Sequence, residues 1–478
     1  MKILTQYALT PILFFIIYVA AIINADKNAD YMSQLLKALT PTPTGWSNNT
    51  HFCKWKGVDC DQSNQVVAIK LASSSLTGTL PPNLNSLSSL THIDLHNNSL
   101  IGPLPCLSDL DLLQTVNLGH NKFTLIKDGC FEFLANLTTL NLSNNLNLNQ
   151  WVFPVSFRVY SDFMHTIDLE ATNMIGPLDS EIFDKFPNLQ TIFLSRNNLS
   201  GTLPQNLGNS KVRCLRIDNQ GALNGFQGTI DVISSMKFLS QAWLHNNGFA
   251  DYIPNMSNCT YLFDLQLHSN KLYGLVPPSL LTLPSLKNIS LDHNNLQGPI
   301  PVFHKGVTAT WEGNGFCING HCDSQVMILL EILDTYRLIP VSILTNKPIK
   351  KNEVCNNLGW FKCQSGKIVS VDLGNENLTG TIFPAFSNLS SLVNLTLARN
   401  YLSGSIPQSL TALPHLQLLD VSYNNLSGQI PKFPSKVTLI IKGNAFLGQG
   451  SSKKTLVWIV GTSVSIPIIY ANICFNYK

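Results

Sequence analysis

The sequence predicts an α/β solenoid, and three observations carry that expectation. One phrase recurs along most of the chain. Charged residues make up only 12% of the 478, about half the share of an ordinary globular chain, and leucine and asparagine fill the gap. Cysteines come in close pairs where the phrase starts and stops.

The phrase reads LTHIDLHNNSLIGPLP from Leu90, LQTIFLSRNNLSGTLP from Leu189, LFDLQLHSNKLYGLVP from Leu262 and LKNISLDHNNLQGPIP from Leu286. It returns as LVNLTLARNYLSGSIP from Leu392 and LQLLDVSYNNLSGQIP from Leu416. The step from Leu262 to Leu286, and from Leu392 to Leu416, is 24 residues. L-x-x-L-x-L-x-x-N-x-L-x-G-x-[IL]-P is the plant-type leucine-rich repeat. The L-x-L core predicts a short parallel strand with alternate side chains inward. Stacking puts each inward leucine on the next, so one core runs the length of the array. Asn98, Asn197, Asn270, Asn294, Asn400 and Asn424 are expected to be buried, satisfying backbone groups of adjacent coils. Gly and Pro then turn the chain onto the opposite face.

In chain order, MKILTQYALTPILFFIIYVAAIINA predicts a secretory signal peptide over residues 1–25. Residues 26–65 form an N-terminal cap, in which Met32, Leu35, Leu36 and Leu39 have helical spacing and Trp55 sits inside a Cys53–Cys60 loop. The first array covers 66–310, with ten repeats from Val66 to about Pro301. Two of them are irregular, drifting into NLNQWVFPVSFRVYSDF and NQGALNGFQG. A non-repeat island covers 311–367; its QVMILLEILDTYRLIP stretch reads as a helix and its Cys355, Trp360 and Cys363 as a second cap. The second array covers 368–446 with three repeats, followed by a linker at 447–454. Residues 455–475 carry no charge and predict a transmembrane helix. Its flanks, with Lys453 and Lys454 outside and Lys478 inside, run against the positive-inside tendency.

A secreted chain meets an oxidising compartment, so its cysteines should pair. The expected bonds are Cys53–Cys60, Cys317–Cys322 and Cys355–Cys363. Cys106 and Cys130 stand 24 residues apart at matching phase in adjacent coils. The roughly 5 Å between neighbouring strands fits the Cα separation of a disulfide. Cys214, on an exposed strand position, and Cys259, in place of a buried leucine, should not pair with each other. Twelve N-x-S/T sequons, at Asn48, Asn97, Asn136, Asn141, Asn198, Asn255, Asn258, Asn288, Asn377, Asn388, Asn394 and Asn425, predict a glycoprotein.

A net charge of +3 without a basic cluster argues against a nucleic-acid surface. Nothing in the histidine spacing suggests a metal site, no catalytic constellation is visible, and no cofactor is expected. Binding is the better expectation. Outward strand positions include His92, Asp94 and His96, then Asn117 and His120. Farther along come Gln241, Trp243 and His245, then Asp264, Gln266 and His268, then Asn288, Ser290 and Asp292. Trp243, His245, Asp264, Gln266, His268 and Asp292 are the candidate ligand contacts, with histidine titration setting their pH response. The plainer account is that these positions are merely solvated.

Ten repeats, a cysteine-containing island and three repeats before a membrane span form a combination that resembles the extracellular part of plant receptor-like kinases of the transmembrane kinase (TMK) family. The resemblance implies a non-catalytic ectodomain at the plasma membrane, a single pass with the N-terminus outside, and a role in auxin signalling with auxin-binding cupin proteins as partners. KKNEVC at Lys350–Cys355 departs from that family's Gly-Asn-Asp-Pro-Cys stretch. No H-R-D or D-F-G kinase motif occurs, and the string VAIK at Val67–Lys70 falls within the first repeat rather than in a kinase context. The readings are then a receptor lacking its kinase, a secreted repeat inhibitor or decoy, or a piece of an active Ser/Thr receptor kinase.

Overall fold

A computed structural model describes residues 27–152, 161–221, 225–317, 322–338 and 359–448. The expected signal peptide, Cys355, Cys474 and the 455–475 span lie outside these. Among the described residues no helix is long and apolar enough to cross a membrane. The chain divides into two compact units, Met1–Val371 and Asp372–Lys478.

The first unit opens with a helix over residues 27–38 that buries Tyr31, Met32, Leu35 and Leu36. Leu39–Thr40 then pairs antiparallel with Thr77–Thr79. Gly78 lets these backbones meet, because a Cβ there would stand 1.9 Å from the Ala38 carbonyl oxygen. The Cys53–Cys60 bond closes the cap. Trp46 and Trp55 stack beside it with centroids 4.6 Å apart.

A twelve-stranded sheet follows. Its strands are β1 (Val58–Cys60), β2 (Val66–Lys70), β3 (His92–Asp94), β4 (Thr115–Asn117), β5 (Thr139–Asn141) and β6 (Thr166–Asp168). They continue with β7 (Thr191–Phe193), β8 (Cys214–Arg216), β9 (Gln241–Trp243), β10 (Asp264–Gln266), β11 (Asn288–Ser290) and β12 (Thr308–Thr310). β1 is antiparallel to β2, and the pairings from β2 onward are parallel. The middle residue of each three-residue repeat strand points inward: Ile93, Val116, Leu140, Ile167, Ile192, Leu215, Ala242, Leu265 and Ile289 are all buried. Among the described residues, the opposite side is made of short turns of 3₁₀ helix and coil, with α-helix at Glu181–Lys185 and Pro278–Leu281.

The turn asparagines do the work expected of them. Asn270 donates from Nδ2 to Leu244 O at 3.0 Å and Leu267 O at 3.0 Å, and its Oδ1 accepts from Phe249 N at 3.1 Å. It thereby ties its own coil to the preceding one. Asn98, Asn197 and Asn294 repeat the pattern. Where the repeat reads DNQG, Gln220 takes the role, donating to Leu194 O and Ile217 O and accepting from Leu199 N.

Two features depart from the sequence expectation. β12 is an eleventh repeat strand, in a shortened coil whose turn residue, Asn314, bonds Leu291 O and Leu296 N. TATWEGN carries the asparagine but not the leucines, so the pattern passes unnoticed. The island helix, Ser324–Tyr336, was expected to cap the second array. It instead packs on the flank of the first, against the parallel strands Lys271–Leu275 and Asn295–Gly298. There it buries Leu329, Leu330 and Leu333, which have no comparable apolar surface in a solvated linker. Arg337 closes the contact with two bonds to Asp231 (2.8 and 3.0 Å) and one to Asp251 (3.4 Å). Tyr252 donates its hydroxyl to Leu338 O. Gln325 reaches the hairpin Phe361–Gln364/Lys367–Asp372 through Gly366 and Ile368.

The second unit stacks parallel strands Asn394–Thr396, Leu418–Asp420 and Thr438–Ile440, with Asn400, Asn424 and Asn444 as its turn residues. The last strand again belongs to a short coil that the leucine pattern misses.

Cys106–Cys130 and Cys317–Cys322 are bonded, with Cα separations of 4.4 and 5.3 Å. Cys363 is also disulfide-bonded. Cys214 and Cys259 are free; Cys214 is half-buried rather than exposed. Burial pushes the Cys259 thiol up to about 11.

Two predictions follow from this packing. Asn270→Ala orphans Phe249 N and leaves Leu244 O only its bond from Asn247, and should cost about 1–3 kcal/mol. Denaturant unfolding measures this, and an unchanged midpoint would refute the ladder's role. Burial pushes the Asp334 carboxyl on the island helix up from 3.8 to about 6, with Asp251 adding to the rise and Arg337 opposing it. The folded state then holds a proton that the unfolded state releases. Helix protection is therefore greatest below about pH 4 and is lost as pH rises through about 6. Hydrogen exchange of the helix amides should show this slope in the wild type and lose it in Asp334→Asn.

Candidate functional site

Parallel register turns the end of the first array into two straight rows of side chains. Phe193, Arg216, Trp243, Gln266 and Ser290 occupy the third position of β7 to β11 and are direct partners across the sheet. Two residues further along each strand come Ser195, Asp218, His245, His268 and Asp292. The intervening leucines and isoleucine point inward, so both rows belong to the outer face.

In the first row Arg216 lies over Phe193 at 4.4 Å and over Trp243 at 3.9 Å from the ring centroids. Its Nε and Nη2 both donate to Gln241 Oε1 (3.1 and 2.9 Å). Gln241 in turn donates to Asp264 Oδ2 at 2.9 Å. Asp264 also accepts from Trp243 Nε1 at 2.7 Å and from Gln266 Nε2 at 2.6 Å. Asp264 was expected to face a ligand. It is only 7% exposed and serves as the hub that fixes Trp243, Gln241 and Gln266.

In the second row His245 and His268 stack with ring centroids 4.2 Å apart. His245 Nε2 faces Asn219 Nδ2 at 3.1 Å and Asp218 Oδ2 at 3.4 Å, while its buried Nδ1 has no partner. Burial lowers His245 below the usual histidine value, and the carboxylates of Asp218 and Asp264 offset this only in part. Burial also lowers His268, and the neighbouring His245 lowers it further. Both imidazoles are therefore neutral near pH 7, and the Asp218 contact is then a dipolar one rather than an ion pair. Asp292 stands apart, accepting from Ser290, Thr310 and the Glu312 N–H. Burial alone would raise its carboxyl, but these hydrogen bonds outweigh burial and hold it below the ordinary value.

The candidates thus form one hydrogen-bonded set (Trp243, Asp264, Gln266) and one stacked pair (His245, His268), with Asp292 turned toward β12. Phe193, Arg216, Gln241 and Asp218 complete the face. Arg216 and Asp218 are missed where the repeat is irregular, in VRCLRIDNQG; counting the third strand position through that repeat would have found Arg216. The earlier cluster is smaller: His96 Nδ1 lies 2.7 Å from Asp94 and 3.0 Å from Asn117 Nδ2. His120 is exposed beyond it. Asn288, a sequon, is exposed at the first position of β11, beside Asp264. No cluster of His, Cys, Asp and Glu among the described residues has the form of a metal site.

Family models place a leucine-rich repeat N-terminal domain at residues 28–61 and leucine-rich repeats at 89–110, 188–210 and 367–426. The chain is similar to "Receptor-like kinase TMK4" of Arabidopsis thaliana, with 43% identity over 94% of this chain and 48% of the relative. It is also similar to "Receptor-like kinase TMK2" of the same plant, with 34% identity over 78% of this chain and 43% of the relative. The chain therefore spans about half the length of the curated relatives it matches. Among solved structures it resembles the leucine-rich repeat ectodomain of the Arabidopsis receptor kinase GASSHO1/SCHENGEN3, solved in complex with CASPARIAN STRIP INTEGRITY FACTOR 2. The TM-score is 0.53 and the identity 25%, over 84% of this chain and 45% of that one. With caps, repeats and island accounted for, the chain belongs to the leucine-rich repeat ectodomains of the TMK receptor-like kinases.

Proposed function

We propose that this chain is a non-catalytic, cell-surface recognition module, and that the face of β7–β11 is where its extracellular partner docks. The observation that carries the reading is the register-aligned pair of rows. A half-exposed tryptophan is locked by a buried carboxylate, beside a stacked histidine pair with an unpartnered ring nitrogen. A rigid aromatic anchor amid fixed polar groups is the pattern on which interface energy concentrates.

Auxin signalling is the proposed setting and an auxin-binding cupin protein the proposed partner, as the resemblance to the TMK family implies. The GASSHO1/SCHENGEN3 ectodomain, solved with CASPARIAN STRIP INTEGRITY FACTOR 2 bound, supports ligand recognition by a fold of this kind. The location proposed is the outer side of the plasma membrane, with 455–475 as a single span. Twelve sequons support passage through the secretory pathway.

The test uses the secreted full chain and a purified auxin-binding cupin protein. Trp243→Ala should weaken binding about tenfold or more, while Tyr261→Ala, exposed on the flank, should not. Equal affinity of the Trp243 variant and the wild type would remove this face from recognition.

The histidines add a signed pH effect. Their folded values lie below 6.5, so the unfolded chain takes up protons first. Their contribution to local stability is present above pH 6.5 and is lost as pH falls below it. Replacing His245 and His268 with asparagine should leave neutral-pH affinity nearly unchanged and flatten its dependence on mild acid. A wild-type pH profile in the double variant would sink the titration role.

A further inference from the structure

Arg216 is the only lysine or arginine within strands β7–β11. Its charge is not neutralised: among the described residues no carboxylate lies within ion-pair distance of it. Its hydrogen bonds go to the neutral Gln241 Oε1 alone. Two other arginines of this unit behave differently, although Arg213, just before β8, also forms no ion pair among the described residues. Arg196 pairs with Glu170 at 2.7 Å, and Arg337 with Asp231 at 2.8 Å.

The isolation is not for want of acids. Asp264 lies one hydrogen bond beyond, behind Gln241, with its oxygens engaged by Gln241, Trp243 and Gln266. Asp218 is taken up by Ser195, Asn219 and His245. Phe193 and Trp243 meanwhile hold the guanidinium from the flanking strands. Ring contact fixes the planar group and leaves edge donors for a planar acceptor, the arrangement in which arginine recognises carboxylates. The gain in order is prepaid by the fold, so less is lost on binding.

We infer that Arg216, flanked by Phe193 and Trp243, is the receptor for a carboxylate presented by an extracellular polypeptide partner. The inference rests on the docking face proposed above and specifies the chemistry of its ligand. A polypeptide fits better than a small solute because Arg216 sits on an open sheet of parallel strands, whereas small molecules favour concave sites that enclose them. Three open concavities of this unit lie elsewhere, beside Pro41, Lys27 and Val152. A polypeptide laid across several strands can reach the arginine and the histidine pair together. Its carboxylate can come from an acidic side chain or from a chain end.

The experiment follows the Trp243 indole N–H resonance of the full chain during titration with three probes. N-acetylglutamate α-amide carries a side-chain carboxylate, N-acetylalanine a terminal one, and N-acetylglutamine amide none. At least one carboxylate probe should bind saturably, and the one that binds identifies the source; the neutral amide should not. Arg216→Gln should weaken the response about tenfold. Arg216→Lys should recover part of it, since charge returns without the fork. Arg399→Gln, at a single-ring arginine in the second unit, should change nothing. Native dispersion of the other indole signals controls for folding. The inference is overturned if neither carboxylate binds, if the neutral amide binds as well, or if Arg216→Gln keeps wild-type affinity. Such a failure, with the cupin partner still lost in Trp243→Ala, would leave the docking face standing without its carboxylate contact. Loss of the docking face alone would instead show as carboxylate binding without any effect of Trp243 on the partner.

Discussion

Most coils carry one turn amide that bonds the backbone of two coils at once. Asn270 joins Leu244 O, Leu267 O and Phe249 N; Asn98, Asn197, Asn294 and Gln220 do the same in their places. A turn inside an apolar core would otherwise leave carbonyl and amide groups unpaired, a cost no short coil can carry. Because the amide reaches backward, each coil sets the height of the next. Register is therefore inherited along the array, and side chains more than 20 residues apart in sequence fall into straight rows. The rows that carry Trp243 and His245 depend on this spacing rather than on any local fold of their own.

The same unit contains two ionisable clusters with opposite responses to acid. Around the island helix, Asp334 favours its protonated form, so acid removes a buried negative charge next to Asp251. On the outer face, His245 and His268 favour their neutral forms, so acid adds charge to a stacked pair. Burial is the leading cause in both cases, and the sign differs only because one group is charged when deprotonated and the other when protonated. Mild acid thus tightens the flank and loosens or recharges the face.

Much of this was legible in the residues. The repeat spelled out the parallel sheet, the inward leucines and the turn asparagines, because each position answers to a single geometric requirement. The close cysteine pairs Cys53–Cys60 and Cys317–Cys322, and the phase-matched Cys106–Cys130, needed only spacing. What escaped notice did so for physical reasons. The last coils, TATWEGN and TLIIKGN, keep the asparagine but depart from the L-x-x-L-x-L spelling, TATWEGN lacking leucine altogether and TLIIKGN keeping only Leu439. The island helix has the apolar pattern of a cap, and pattern alone does not say which surface an apolar face will meet. Asp264 looked like a contact because strand alternation assigns direction but not depth. Three neighbouring donors draw it beneath Trp243 and Gln266. Arg216 was passed over because its repeat is irregular, with a glutamine in the asparagine place and the NQGALNGFQG drift behind it.

The shortened final coils have a bearing on self-association. A parallel sheet ending in a full-length strand would offer unpaired backbone to any other strand, including that of a second copy. β12, Thr308–Thr310, is as short as the strands just before it, with Lys305 preceding it and Glu312 following it. Asp292 draws in both the Thr310 hydroxyl and the Glu312 N–H. In the second unit Thr438–Ile440 is equally short and lies between Lys436 and Lys442. Each stack thus ends in a three-residue strand flanked by charged side chains, and flanking charge of this kind disfavours the addition of a further strand.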